Sequence, residues 1–362
     1  MSADSERFAA LIADAQRYTT PVDGLHQTVR DCLDAEGQII AYDEEGDGLV
    51  QPPEVVAWVD GAVADEQTDA LIWAAAVAVA QTGRAEPIRR SAHVVMPVCG
   101  DRERFRGIAM AVCELEAATA AAEECLLVMV DGGLSTGLMQ ATSESFLRDP
   151  DVIAAVDRLH TERDTIATLV EYIELVNHGT IVGLPKQDSS QHYTQAWSSA
   201  YAPQLGAEGV AALRRLRDRP FIDRILKPGE MLLPRPAQLK MEAAGARNDP
   251  GTDRVRGFDV ALAEARGNGE LSVAYFKPAK GAQRTIRIEY APPDSLHSGD
   301  WGASLAQQLE AQFQSPRIVE PLGQHLVDRE CKRLVQTELR ILTAELTRGL
   351  ASDPTATRHY RS

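Results

Sequence analysis

Short apolar runs divide this chain and predict the strands of a buried sheet. The run VVAWVDGAV, around residues 55–62, is apolar without strict alternation, which favours a strand buried on both faces. Residues 125–130 give the strongest strand pattern in the chain and, like the first run, end in Asp-Gly. Residues 180–186 (TIVGLPK) give another run of this kind. The three runs predict central strands of one sheet.

Other segments extend the pattern. Residues 68–81 (TDALIWAAAVAVAQ) are ambiguous, because alanine favours helix whereas isoleucine, tryptophan and valine favour strand. If 55–62 begins an antiparallel meander, 68–81 is its second strand and 88–97 its third. Residues 271–278 and 285–292 predict a hairpin, because IRIEY alternates with period two. Amphipathic periodicity predicts helices at residues 5–17, 21–36, 102–124, 150–178, 301–314 and 322–349.

This order of elements predicts an α/β fold: a mixed sheet flanked by helices, with an inserted or elaborated region and a helical C-terminus. We expect a helical and loop extension at residues 1–50, a main domain at 51–350 and a tail at 351–362. Residues 205–265 are rich in Arg, Gly and Pro, which indicates a surface elaboration. No apolar run reaches the roughly 18 residues that span a bilayer. We therefore expect a soluble cytoplasmic protein that does not contact membranes.

The charge balance limits how the chain can bind a polyanion. Its net charge is -16, from 53 acidic and 37 basic residues. A protein that covers nucleic acid with its whole surface is basic, because neutralisation of phosphates dominates that affinity. Any DNA contact here must therefore be confined to a groove or channel.

Several kinds of site are excluded by missing motifs. The five cysteines are scattered, odd in number and form no C-x-x-C, which argues against a disulfide framework or a zinc site. The chain has no G-x-x-x-x-G-K-[ST] phosphate loop and no G-x-S-x-G nucleophile elbow. ATPase and serine-hydrolase chemistry are therefore not expected.

Acidic residues at strand ends form the most informative pattern. Asp60 follows the first apolar run and Asp131 follows the second, and a late helix carries Asp328. Ends of adjacent strands bring their side chains together, and the repulsion of crowded carboxylates is relieved by a hard divalent cation. Two such ions can clamp the attacking and leaving oxygens of a phosphodiester. The pattern predicts a carboxylate site for two such divalent cations.

Helix phase selects between two glutamates on the 102–124 helix. With the centre of the buried face between Val112 and Leu115, Glu116 lies about 70° from that centre and Glu114 about 130° away. We therefore expect Glu116 to reach the site and Glu114 to be a solvated charge and a second-choice ligand.

Three further residues have alternative interpretations. His325 lies one helical turn before Asp328 and is a second-choice ligand. Arg287 and Glu289 alternate along IRIEY, so they are either cross-strand surface charges or line a DNA groove in which Arg287 contacts phosphate.

An ordered set of motifs resembles the NurA nucleases. In sequence order, the motifs are VAWVDGAV, a helix with glutamate, LLVMVDGGL, IVGLPKQDSS, ILKPGE, YFKP with IRIEYAP, and EPLGQHLVD. The resemblance implies an RNase H-like core and DNA cleavage that depends on manganese or magnesium. It also implies 5′-3′ exonuclease and single-strand endonuclease activity in DNA repair or in defence against foreign DNA. The implied partners are a HerA-type hexameric ATPase and a second copy of the chain in a homodimer.

The resemblance also implies roles for particular residues. Asp60, Glu116 and Asp131 match the catalytic metal ligands. Asp328 matches a position on the late helix where the family has an acidic residue or histidine, so it completes the catalytic and metal-binding set. Lys186 matches a basic residue that follows a strand and faces a phosphate.

Two other functions stay open. Ser135 follows Asp131 in a pattern near D-x-S-x-S, which is typical of metal-dependent von Willebrand A-like binding modules. The chain also has Ala62 and Gly133 where the family usually has serine, which is consistent with a catalytically inactive structural subunit of an ATPase complex. A distance between the Asp60 and Asp131 carboxylates well beyond about 8 Å favours the binding module.

Overall fold

A nine-stranded mixed sheet organises the described residues of this computed structural model. The described residues are 24–42, 56–83, 86–186, 190–239, 265, 270–280, 284–293, 295–313 and 320–351. The strands are β1 (Ile39–Ala41), β2 (Val56–Gln67), β3 (Leu71–Thr82), β4 (Ile88–Pro97), β5 (Leu127–Asp131), β6 (Ile181–Leu184), β7 (Glu230–Gln238), β8 (Glu270–Phe276) and β9 (Ile286–Tyr290). Their order across the sheet is β1-β7-β8-β9-β6-β5-β2-β3-β4.

Helices cover both faces of this sheet. They are α1 (Leu25–Ala35), α2 (Arg102–Ala122), α3 (Leu134–Ala141), α4 (Pro150–Glu162), α5 (Thr165–Asn177), α6 (His192–Ala200), α7 (Ala202–Leu213), α8 (Asp218–Ile225), α9 (Ser298–Glu310) and α10 (Leu322–Ala351). The predicted α/β fold with a mixed sheet and flanking helices is confirmed. No helix in these ranges is both long enough and apolar enough to cross a membrane.

The parallel part of the sheet lies at its centre. β5 pairs in parallel with β2 on one side and with β6 on the other. β2, β3 and β4 form an antiparallel meander, so residues 68–81, whose pattern was ambiguous, supply a strand. Tertiary packing decides this outcome, because alternate small residues of β3 are buried against helices on both faces of the sheet. The predicted hairpin of β8 and β9 is also confirmed.

Two layers of hydrophobic core enclose the central strands. Helices α2 to α5 pack on one face, where their apolar residues join those of β2, β3 and β5 in one cluster. On the other face, α9 and α10 pack against the opposite side of the same strands and of β8 and β9. Helix α2 is therefore buried around most of its circumference, which matters for the glutamates that it carries.

The helix expected at residues 150–178 is instead two helices. α4 ends at Glu162 and α5 begins at Thr165, with Asp164 between them in the left-handed region at φ 44°. Aspartate tolerates this conformation better than most residues. The turn also brings Arg163 to the side of α2.

The predicted domain boundaries stay a prediction. The described part of the 1–50 segment supplies α1 and the edge strand β1, which pairs with β7. The described part of 205–265 supplies α8 and β7, and β7 pairs with β8 inside the sheet. The helix predicted at 5–17 and the tail after residue 351 lie outside the described residues.

Candidate functional site

Asp60 and Asp131 lie side by side on the two central parallel strands. The parallel register of β2 and β5 pairs Val59 with Val130, so the two aspartates come next along each strand. β5 ends at Asp131, as expected. Asp60 does not end its strand, because β2 continues to Gln67 through its pairing with β3. The expectation of two strand ends is therefore corrected to one strand end beside one mid-strand residue.

The ammonium group of Lys186 lies between these acids. Its Nζ is 2.7 Å from Oδ2 of Asp131, 3.0 Å from Oε2 of Glu320 and 3.9 Å from Oδ2 of Asp60. Lys186 reaches them because β6 ends at Leu184, next to β5 in the sheet. Since one ammonium group contacts both aspartates, their carboxylates lie within the limit of about 8 Å set above. This arrangement favours the nuclease interpretation over the binding module.

Burial and mutual repulsion alter the protonation of the two aspartates. Asp60 is 5% exposed, and burial, together with the charge of Asp131, raises its pKa to about 8 even though Lys186 opposes the shift. Burial also raises the pKa of Asp131, against the lowering effect of its hydrogen bond to Lys186. Burial lowers the pKa of Lys186, but the hydrogen bond and charge of Asp131 more than offset this, so the pKa stands above its ordinary value. The site thus holds more acid than its single ammonium group neutralises.

Glu114 joins this pair from helix α2. Its side chain lies directly against Gly61, where a Cβ atom would come within 2.7 Å of its Cγ and 2.9 Å of its Cδ. Burial raises the pKa of Glu114 well above its ordinary value, and the charges of Asp60 and Asp131 add to the shift. Glu114 is therefore the glutamate that faces the two aspartates.

Glu116 does not lie with the two aspartates. Its carboxylate pairs with Arg163, Nη1 to Oε2 at 2.7 Å, on another side of α2. The helix-phase argument assumed one buried face and one solvated face. However, α2 is packed against the sheet and against α3, α4 and α5. The side of α2 that carries Glu114, which was expected to face solvent, therefore faces a cavity between these elements. The prediction that Glu116 reaches the site and Glu114 does not is therefore wrong.

A cavity of about 280 Å³ opens onto these three acids. Polar side chains of α3 and α5 also line it, namely Thr136, Gln140 and Tyr172. Asp328 lies at the cavity as expected and is ion-paired with Lys332 at 2.7 Å. Of the four acids named from the sequence, Asp60, Asp131 and Asp328 come together and Glu116 does not.

One face of α10 contacts both aspartates, Asp60 on β2 and Asp131 on β5. Gln324 donates from Nε2 to Oδ1 of Asp131 at 2.6 Å, and the thiol of Cys331 donates to the backbone oxygen of Asp60 at 3.0 Å. Together with Asp328, these residues recur at the spacing of helical turns, so all three face the strands. The sequence analysis missed Gln324; its spacing of four residues from Asp328 is the signal that could have found it.

The remaining candidates lie around the cavity. His325 pairs with Glu320 at 3.2 Å and does not line the cavity of the three acids. Arg287 pairs with Glu289 at 2.6 Å and lines a second cavity of about 710 Å³, which shares Gly133 and Thr136 with the first. Glu289 is 6% exposed, so the surface-charge interpretation is wrong for this residue.

The donor set fits a hard divalent cation by its chemistry. In the described ranges, no three His, Cys, Asp or Glu side chains already stand at the spacing of a formed ion site. The facing groups are nevertheless all carboxylates, the ligands that Mg²⁺ and Mn²⁺ prefer. Oδ2 of Asp60 is buried and accepts no hydrogen bond from the described residues, and the Lys186 ammonium stays 3.9 Å away. A divalent cation would give this oxygen a closer partner.

Comparisons with known proteins agree with this fold. Neither a scan against protein-family models nor a search of curated proteins finds a match. Among solved structures, the NurA nuclease from Sulfolobus solfataricus is similar at a TM-score of 0.59 and 10% identity, covering 96% of this chain and 98% of that chain. A NurA structure with manganese is similar at a TM-score of 0.50 and 10% identity, covering 85% of this chain and 91% of that chain. At this identity, the likeness establishes the architecture alone: the chain has a NurA-like fold.

Proposed function

We propose that this protein is an enzyme that hydrolyses DNA phosphodiester bonds with the help of a divalent metal ion, Mn²⁺ or Mg²⁺. The observation that carries the proposal is the convergence of three carboxyl groups at one cavity between adjacent parallel strands and a helix: those of the buried Asp60 and of the partly buried Glu114 and Asp131. Crowded, desolvated carboxylates without enough cationic partners are costly in the metal-free protein. A binding site for a hard cation explains why they are together.

Each residue of the site has a distinct proposed role. Asp60, Glu114 and Asp131 hold the cation, and Asp328 at the rim completes the set. Gln324 orients Asp131 through its hydrogen bond to Oδ1. A divalent cation held there supplies the positive charge that offsets charge developing on the phosphodiester oxygens in the transition state. The negative charge of the carboxylates also repels an anion such as a phosphate unless a cation is bound there.

Lys186 and Arg287 are proposed to bind the DNA backbone. The Lys186 ammonium pairs with Asp131 at 2.7 Å, and its four-carbon stem would let it turn to a phosphate if a metal ion took its place at the acids. Arg287 lines the second cavity, which continues from the first across Gly133 and Thr136. We propose that the two cavities form one groove in which Arg287 contacts a phosphate, a local contact on a protein of net charge -16.

The finer assignments rest on the resemblance of the motifs and on the fold. We propose two metal ions, 5′-3′ exonuclease and single-strand endonuclease activity, and a role in DNA end processing or defence. We also propose a homodimer that works with a HerA-type hexameric ATPase. Light scattering of the purified chain tests the dimer. Co-elution with a purified ATPase of this type tests the partnership, and separate elution of the two proteins at micromolar concentrations contradicts it.

Asp60→Asn tests the enzymatic proposal, with Asp65→Asn as its control. Asp65 lies on the same strand and its side chain is only 5% exposed, but it pairs with Arg102 and Arg106 instead of facing the cavity. We expect Asp60→Asn to lower Mn²⁺-dependent cleavage of linear DNA by about a thousandfold or more, and Asp65→Asn to retain most of the rate. Wild-type cleavage in Asp60→Asn, or cleavage that persists in excess EDTA, would refute the proposal.

A further inference from the structure

Helix α3 begins immediately after the loop that carries Asp131, and its own sequence supplies no cap. The N-cap residue is Gly133, which has no side chain to accept a hydrogen bond from the first turn. Leu134, the first helical residue, is 0% exposed, which keeps water away from its N–H group. A buried backbone N–H without an acceptor is costly, so this group needs a partner from elsewhere.

Glu289 is that partner. Its Oε2 accepts a hydrogen bond from the N–H of Leu134 at 2.9 Å, although the two residues are far apart in sequence. Glu289 reaches the helix from β9 and is 6% exposed, and its Oε1 pairs with Arg287 at 2.6 Å. A carboxylate at a helix N-terminus also interacts favourably with the partial positive charge of the free N–H groups.

Two glycines let this contact form. A Cβ atom on Gly183 of β6 would lie 2.9 Å from the backbone oxygen of Gly132 and 3.0 Å from the nitrogen of Leu134. Gly132 itself has φ +115°, a conformation that side chains disfavour. The loop between Asp131 and Leu134 therefore lies flat on β6, and the Glu289 carboxylate holds its far end.

We propose that Glu289 is a positioning residue for Asp131: by capping α3 from β9, it fixes the loop that aims the Asp131 carboxylate at Asp60. Its effect on catalysis rests on the proposed function, whereas its effect on the loop does not. Loss of the cap leaves the Leu134 N–H unsatisfied and allows the short loop to shift. Asp131 stands at the start of that loop, so its carboxylate moves away from the position it shares with Asp60.

The first experiment compares Glu289→Ala with Glu230→Ala and Glu289→Gln. Glu230 is a matched control, because it also pairs with an arginine, Arg30, and accepts a backbone N–H, from Lys227 at 2.7 Å, but on the edge strand pair of β7 and β1. We expect Glu289→Ala to raise the Mn²⁺ concentration for half-maximal cleavage about tenfold or more. Glu289→Gln keeps an acceptor oxygen and is expected to restore most of this loss, and Glu230→Ala leaves the Mn²⁺ requirement unchanged.

A second experiment introduces a capping side chain at the N-cap position of α3. Gly133 has φ −80° and ψ 143°, which serine adopts without strain, and a serine at this position can accept a hydrogen bond from the first turn. In the wild type, however, its Cβ would lie 3.1 Å from Oε2 of Glu289 and 3.1 Å from Oγ1 of Thr136. Glu289→Ala removes the first of these contacts, and the Thr136 hydroxyl can rotate away from the second. We expect Gly133→Ser to raise the Mn²⁺ requirement in the wild-type background but to lower it in the Glu289→Ala background. General destabilisation does not produce opposite effects in the two backgrounds.

Hydrogen exchange at the Leu134 amide provides a readout that does not depend on nuclease activity. We expect exchange about tenfold faster or more in Glu289→Ala, and wild-type protection in Glu230→Ala. Unchanged exchange in Glu289→Ala, or an equal Mn²⁺ requirement in Glu289→Ala and Glu230→Ala, overturns the positioning role. If the wild type shows no Mn²⁺-dependent cleavage, the proposed function fails, and the exchange rates still decide whether Glu289 caps the loop.

Discussion

Substitution of Gly61 by alanine should displace one side chain of the site, that of Glu114. The added Cβ atom would lie 2.7 Å from Cγ and 2.9 Å from Cδ of Glu114, whereas ordinary contact begins near 3.4 Å. Gly61 lies within β2 and its φ is outside the left-handed region, so alanine meets no backbone strain there. The clash with Glu114 is therefore the main consequence of the substitution.

The size of the displacement sets the size of the effect. The Cγ atom of Glu114 must withdraw by roughly 0.7 Å to restore van der Waals contact. Misplacement of a catalytic group by about 1 Å can lower a rate on the order of a hundredfold. We expect Gly61→Ala to lower the Mn²⁺-dependent cleavage rate by about 30- to 100-fold, together with about 1–3 kcal/mol of destabilisation from overpacking.

Single-turnover cleavage at saturating Mn²⁺, measured below the melting temperature of each variant, tests this prediction. Gly107→Ala is the control, because Gly107 lies on the same helix as Glu114 and its Cβ would meet nothing closer than Gln140 at 4.0 Å. Alanine within a helix is expected to stabilise that variant by about 0.5–1 kcal/mol and to leave the rate unchanged. Full activity in Gly61→Ala, or an equal loss in both variants, would show that Glu114 is not needed where the structure places it.

Three further predictions concern the same acids. Glu114→Gln should abolish cleavage and Glu116→Gln should not, since only Glu114 faces the aspartates; equal activity in both variants contradicts this placement. Burial raises the pKa of Asp60 to about 8, so the metal-free protein should lose stability as the pH rises from about 4 to about 8, by up to several kcal/mol; denaturant unfolding should show this slope in the wild type and a flatter one in Asp60→Asn. Lys186→Met should tighten Mn²⁺ binding at pH 9, measured by calorimetry, because its ammonium competes for Asp131, while the KM for DNA rises; weaker Mn²⁺ binding would argue against that competition.

The sequence alone predicted the central strands and two of the three acids at the cavity, Asp60 and Asp131. Apolar runs that end in Asp-Gly marked Asp60 and Asp131, because a strand buried on both faces has few positions for a charge. Asp328 was identified from its place on a late helix and from the family resemblance. These are local features: hydrophobic pattern and residue type suffice to read them.

The helix-phase prediction for α2 was wrong because the orientation of its glutamates depends on tertiary packing, which a local sequence pattern does not show. The periodicity of 102–124 correctly predicted the helix, but it assigned Glu114 to solvent because it assumed a single apolar face. Only the packing of α3, α4 and α5 around α2 shows that this direction leads into a cavity. The same limit applies to Asp164, where one left-handed residue divides a continuous helical pattern into two helices.

The contacts that orient the acids were decided by tertiary structure alone. Gln324, Lys186 and Glu289 come from segments distant in sequence, and each reaches Asp131 or its loop. The sheet order places β6 beside β5 and β9 on the far side of β6, and α10 packs across the sheet. The sequence determined which strands are buried and which acids they carry, since burial and charge are properties of single positions. Which glutamate faces those acids, and what caps the loop behind them, depends on how elements pack against each other, and that information exists only in three dimensions.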